Sequence, residues 1–353
     1  MSTYINETIL KHSNKQKAYK KKKHISYSRK YIANNTTVFV TSRVEEGLPI
    51  VQSFIINFII WGILARARTL FDISICHFVF LSNHFHMLLV VKNPDNLPAF
   101  VGYVKQETAH AINHLMGRKK KTIWCDGYDS PTVLDWRDVI RCIQYIYINP
   151  AKATLVKSIK DYPGISSWSM YITNQLSKTC IYIPRIRVPK LVSLALSIGE
   201  QKRLVGFWNK VFKLENEFVL EPFAWVNCFP ELKGISVNRL NKMILAGIDR
   251  QEKKLELLRA KENKQVIGAT SLRRQSMDKH HIPEKNGKKT VCICSNISRR
   301  CRFIDQFKKL CVRARDAFED WKKGNVSTLS IPAGLFAPRL PTMLYALAPM
   351  CLT

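Results

Sequence analysis

Two histidines one residue apart, His84 and His86, stand in the run HFHMLLVV, His84 to Val91. Its apolar, β-branched texture predicts a strand, on which residues i and i+2 share a face, so the two imidazoles project side by side while Phe85 turns away. Paired neutral imidazoles can share one divalent metal ion, and they can equally be satisfied structural histidines. Further along, Tyr145 and Asn149 lie four residues apart in Gln144-Tyr-Ile-Tyr-Ile-Asn-Pro150, where a helix over 135–148 is expected to stop at Asn149-Pro150. A phenol and an amide oxygen on one helical face would approach the same point. If that face looks at the histidines, Asn149 becomes a third metal ligand and Tyr145 stands beside the metal, which is what covalent phosphoryl transfer requires. Tyr147 falls roughly 200° round the helix and faces elsewhere. The alternative is that both tyrosines are ordinary packing residues of an amphipathic helix.

The elements that must position these groups are readable from periodicity. TTVFVTSR, beginning at Thr36, reads as a strand, and the apolar run Ile50 to Ala65 as a buried amphipathic helix over 50–67. That run contains Gln52, Ser53 and Asn57 and ends in Arg66 and Arg68, so it does not read as a membrane segment. Phe71 to Leu81 and His84 to Val91 read as two strands joined tightly through Ser82-Asn83. A helix over 97–116, a short strand over 130–134 and the tyrosine-bearing helix complete the order. The expected class is therefore α+β: a ferredoxin-like antiparallel sheet with helices on one face, plus a mainly helical basic C-terminal region.

Two linked stretches now carry a family resemblance: Asn83-His84-Phe85-His86-Met87-Leu88-Leu89, and Tyr145-Ile-Tyr-Ile-Asn-Pro-Ala-Lys-Ala-Thr-Leu-Val156 followed by Tyr162-Pro163 and Ser166-Ser167-Trp168. Over about residues 36 to 170 the chain resembles the REP-associated tyrosine transposases, single-tyrosine members of the His-hydrophobic-His (HUH) endonuclease superfamily. The stretch from Gln265 through Cys292-Ile-Cys294 to Gly334-Leu-Phe-Ala-Pro-Arg-Leu-Pro341 is similar to their C-terminal extension. The resemblance implies an enzyme that cuts and rejoins single-stranded or hairpin DNA, with Tyr145 forming a 5′-phosphotyrosine. It also implies Mg²⁺ or Mn²⁺ held by His84, His86 and Asn149. Two departures are visible: Ser82 replaces the usual proline before Asn-His, and Trp124-Cys-Asp-Gly-Tyr128 lacks the basic residues that usually follow the tryptophan. They leave a second expectation, a decayed or domesticated DNA-binding protein of the same descent.

Composition bounds the rest. The chain has 353 residues, 46% of them hydrophobic, which suits about two folded domains and excludes a disordered protein or a small stapled module. Lysine and arginine number 56 against 26 aspartates and glutamates, a formal charge of +30 that attracts polyanions, with nucleic acid the first partner to expect. Ten cysteines without regular spacing, and an N-terminus unlike a secretory signal, suggest reduced thiols and a cytoplasmic, nucleoid-associated protein, monomeric or homodimeric. The expected divisions are a flexible basic arm over 1–34, a catalytic domain over 35–175 and a DNA-contacting extension over 176–353. The arm holds nine basic side chains and one acid, and can serve phosphate contact or simply solubility. Residues 271–315 hold thirteen basic side chains and three acids and read as a nucleic-acid contact. His110 and His114 lack the glutamate of a zinc-protease pair, and Cys292, Cys294, Cys301 and His280-His281 lack the spacing of a zinc knuckle.

Overall fold

The computed structural model describes residues 31–45, 53–119, 121–191, 193, 195–276 and 290–323. The basic arm up to residue 30, His280-His281 and the proline-broken tail lie outside them. Ile32–Phe307 is one compact unit; of a second unit, made from the two chain ends, the described residues are Tyr31 and 308–323.

Within the larger unit the order is β1 (Thr36–Arg43), α1 (Phe54–Leu70), β2 (Ile73–Phe80), β3 (His84–Val91), α2 (Asn96–Leu115), β4 (Thr132–Val133) and α3 (Trp136–Lys152). The first four strands lie side by side as β2-β3-β1-β4, all antiparallel, the order that a split βαβ pattern produces. β3 is therefore central, with Thr41 of β1 and Val79 of β2 opposite His86. α1 begins where Ser53 Oγ accepts the Ile56 N–H, later than the apolar run alone predicts. No described helix is long and apolar enough to cross a membrane.

Alternation sorts the side chains of the sheet into two faces. Phe78, Phe80 and Phe85 look toward α1 and α2: Trp61 of α1 meets Phe78 edge-on at 5.5 Å. Trp124 links Phe85, at 5.3 Å, to Thr108 of α2, whose hydroxyl accepts its indole N–H. His77, His84 and His86 look the other way, toward α3. With both faces covered, every residue of β2 is buried, and its sequence is mostly apolar, with Ser74 and His77 the exceptions, rather than alternating.

α3 departs from expectation at its end. It runs through Pro150 to Lys152 instead of stopping at Asn149. Pro150 sits in the last turn, where the backbone is already leaving the ladder, and the Ala153 and Leu155 N–H groups close on the Asn149 and Pro150 carbonyls. Asn149 thereby keeps helical geometry one turn from Tyr145.

Residues beyond 175 are interwoven with this core. After α4 (Trp168–Thr173), β5 (Ser177–Ile181) pairs antiparallel with β6 (Glu215–Val219), which follows α5 (Ile198–Val211); the region 197–218 is thus a helix and then a strand. α1 crosses this ribbon so closely that a methyl on Gly62 would meet the Ile181 carbonyl. α6 (Val237–Lys261) lies against α3, with Gln251 donating to the Gln144 side chain at 3.1 Å. After α7 (Ala269–Arg273), β7 (Cys292–Ile293) adds a fifth strand, parallel to β4, and α8 (Ile297–Lys322) follows.

The turn between β7 and α8 is fastened to the first turn of α3. Buried Asp138 accepts the Ser295 N–H at 2.7 Å and its hydroxyl at 2.6 Å, and pairs with Arg141 at 2.6 Å. Burial opposes ionisation there, but the Ser295 and Arg141 donors outweigh it and hold the carboxyl below the usual carboxylate range. Asp138→Ala is expected to lower the unfolding free energy by about 1–3 kcal/mol in urea titrations, because it removes the ionised acceptor of two Ser295 hydrogen bonds and the partner of Arg141.

Candidate active site

The site grows from β3. His86 is 5% exposed, stacked on Phe39 with ring centroids 5.3 Å apart, and its Nδ1 lies 2.8 Å from Thr41 Oγ1 directly across the strand pair. Its Nε2 is buried, with no hydrogen-bond partner among the described residues. His84, at the mouth of the same strand, is half-buried and donates Nδ1–H to Asn83 Oδ1 at 2.6 Å. Both rings are thus held at Nδ1 by a neighbouring oxygen, which leaves Nε2 for a ligand, the usual way in which metal-binding imidazoles are oriented. The rings meet edge to face at 4.7 Å.

Burial, reinforced by the Arg43 guanidinium, lowers His84 to about 4. Burial and then the charges of His84, Arg43 and Lys152 push His86 well below its ordinary range. Near neutral pH both rings are therefore uncharged, the form that binds a cation.

α3 supplies the phenol. The Tyr145 ring packs against His86 at 5.2 Å between centroids and against the edge of Phe39 at 6.1 Å, and it is half-buried. Asn149, one turn on, is 5% exposed, and its Nδ2 has no partner. An unpartnered imidazole nitrogen in a dry place is costly unless something binds it, and two imidazoles with the Asn149 amide oxygen would make a neutral donor set of the kind that takes a hydrated Mg²⁺ or Mn²⁺. Among the described residues no group of three or more His, Cys, Asp or Glu side chains is placed to hold a metal, which covers His110 with His114 and Cys292 with Cys294.

Tyr147 has a different environment. It is fully buried, 2.7 Å from His77 Nδ1 and 2.9 Å from Ser167 Oγ, and burial pushes its hydroxyl well above the ordinary tyrosine range. It is a core residue. Thr41, Phe39 and Lys152 were not singled out by spacing: the first two reach His86 only through the β1–β3 register, and Lys152 is two turns beyond Tyr145 on α3.

Residues 51–149, which contain both histidines, the phenol and the amide, match the family model of IS200-like transposases. That stretch is similar to the IS200-like transposases. The match ends on Asn149, and the rest of the chain lies outside it. No curated protein matches the chain. A solved structure of a REP-associated tyrosine transposase bound to a REP hairpin is similar over 47% of this chain and 94% of that one, at 20% identity and a TM-score of 0.36.

Proposed function

We propose that the protein cleaves and rejoins single-stranded or hairpin DNA through a 5′-phosphotyrosine. The observation that carries this reading is the Tyr145 ring packed against His86, a buried imidazole held at Nδ1 by Thr41 and unpartnered at Nε2. Tyr145 Oη attacks phosphorus, the bond from phosphorus to the 3′ oxygen breaks, the phenolic proton passes to solvent and the departing 3′ oxygen takes one up. The ester to tyrosine replaces the ester to the 3′ oxygen, so the free 3′-hydroxyl can reverse the step with no high-energy cofactor. A divalent cation bound by His84, His86 and Asn149 would polarise the scissile phosphate and offset its developing charge. The +30 charge supplies a path for the DNA backbone and a reason for residence on the nucleoid.

The test incubates labelled single-stranded hairpins drawn from the flanks of the gene with the protein, in Mn²⁺ or EDTA, beside Tyr145→Phe. A covalent adduct that survives boiling in detergent, needs Mn²⁺ and is absent from the variant is the expected outcome. DNA bound but never joined under any metal would leave a binding protein of transposase descent in its place.

A further inference from the structure

We infer that Lys152 is a catalytic residue of this transfer, its ammonium group binding a non-bridging oxygen of the scissile phosphate beside Tyr145 Oη; the inference rests on the phosphotyrosine reading above. Lys152 closes the last turn of α3 with its side chain exposed, and Nζ stands 5.2 Å from the centroid of the Tyr145 ring. Its charge is felt by His86. Among the described residues it makes no ion pair, whereas Arg141 on the same helix is paired with Asp138. A cation over an exposed ring is held by only about 0.5–1 kcal/mol, which a phosphate readily outcompetes.

The chemistry explains why a cation belongs there. The neutral donor set of His84, His86 and Asn149 brings no negative charge to the site, and no carboxylate lies among the groups acting on either histidine. As Oη bonds to phosphorus, negative charge grows on the non-bridging oxygens next to the phenol. An ammonium on a four-carbon stem, two helical turns from the nucleophile, can follow that oxygen with its N–H donors, and its attraction is stronger in the transition state than before it. Lys152 keeps its protons throughout; the phenolic proton leaves to solvent as before.

The test measures single-turnover adduct formation at saturating labelled hairpin in Mn²⁺, hairpin affinity and thermal unfolding for the unsubstituted protein, Lys152→Met, Lys152→Arg and Tyr145→Phe. Lys152→Met should slow adduct formation about 100-fold. It should change hairpin affinity less than about 3-fold, since it is one contact among many, and leave the unfolding midpoint in place. Lys152→Arg should stay within about 10-fold of the unsubstituted rate, because it retains a donor cation at the same place. If Lys152→Met forms adduct at the unsubstituted rate, or loses rate only in proportion to affinity, Lys152 is not catalytic while the phosphotyrosine reading stands. If the unsubstituted protein forms no adduct, or Tyr145→Phe forms it equally well, the phosphotyrosine reading falls and this inference with it.

Discussion

A His86→Leu variant should bind hairpin DNA as the unsubstituted protein does and form covalent adduct at least about 1,000-fold more slowly, the loss of roughly 4 kcal/mol of transition-state stabilisation. The reason lies in how His86 is held. Its Nδ1 is engaged by Thr41 and one side of its ring by Phe39, so the only chemistry left to it is at Nε2, which no protein group satisfies. An unpartnered buried nitrogen costs the fold about 1–3 kcal/mol. Leucine removes that nitrogen while leaving Thr41 Oγ1 without its imidazole, two effects of similar size and opposite sign. The unfolding free energy in urea should therefore change by no more than about 1 kcal/mol, so the activity disappears from a protein that is still folded. A second measurement separates a ligand from a packing residue: Mn²⁺ titration followed by electron paramagnetic resonance should show a site in the unsubstituted protein that is lost in His86→Leu. A variant that cleaves at the normal rate would remove His86 from the chemistry altogether.

The residues of this site were legible because each half of it obeys a local period. His84 and His86 share a strand face, and Tyr145 and Asn149 share a helix face, so two short stretches suffice to list them. What joins the halves is not local. Thr41 reaches His86 because β1 and β3 pair in a register set across more than forty residues, and nothing in TTVFVTSR marks the threonine. The placement of α3 on the opposite side of the sheet from α1 and α2 is likewise tertiary, although the mostly apolar, non-alternating run of β2 is its trace. Pro150 misleads because proline usually ends a helix, whereas here it forfeits one ladder bond and the chain continues for two more residues to Lys152. β6 hides behind α5, since in ENEFV the aromatic Phe218 is the fully buried position and pairing with 177–181 decides its form. The two residues of β7 carry no local signal either; they are a strand because the edge of β4 is there to pair with.

Lowering the pH should destabilise the fold that carries the nucleophile, through a histidine away from the reacting atoms. His77 is fully buried on β2. Its Nε2 faces the Pro222 carbonyl at 3.0 Å, which only accepts, so Nε2 carries the proton and Nδ1 accepts from the Tyr147 hydroxyl at 2.7 Å. Tyr147 Oη also lies 2.9 Å from Ser167 Oγ, which takes the Phe78 N–H at 2.8 Å and donates to the Phe78 carbonyl at 3.3 Å. A second proton on His77 would set two donors against each other in a dry interior, and burial, only partly opposed by the Pro222 carbonyl, lowers the ring to about 3. The unfolded chain, with an ordinary value of 6.5, takes up a proton that the folded chain refuses. The contribution is fully present above pH 6.5 and is lost as the pH falls toward 3, at about 1.4 kcal/mol per pH unit, or about 2 kcal/mol by pH 5. Urea unfolding in EDTA between pH 7 and 5 should show this decline, and it should be shallower by one proton in His77→Leu combined with Tyr147→Phe, which removes both partners and strands neither. Equal slopes in the two proteins would mean that His77 titrates alike folded and unfolded. Because Tyr147 is two residues from Tyr145, the same network fixes the rotation of α3 that turns the phenol toward His86. In protein that stays folded His77 remains neutral at pH 5 to 6, so adduct formation should not fall there through this ring.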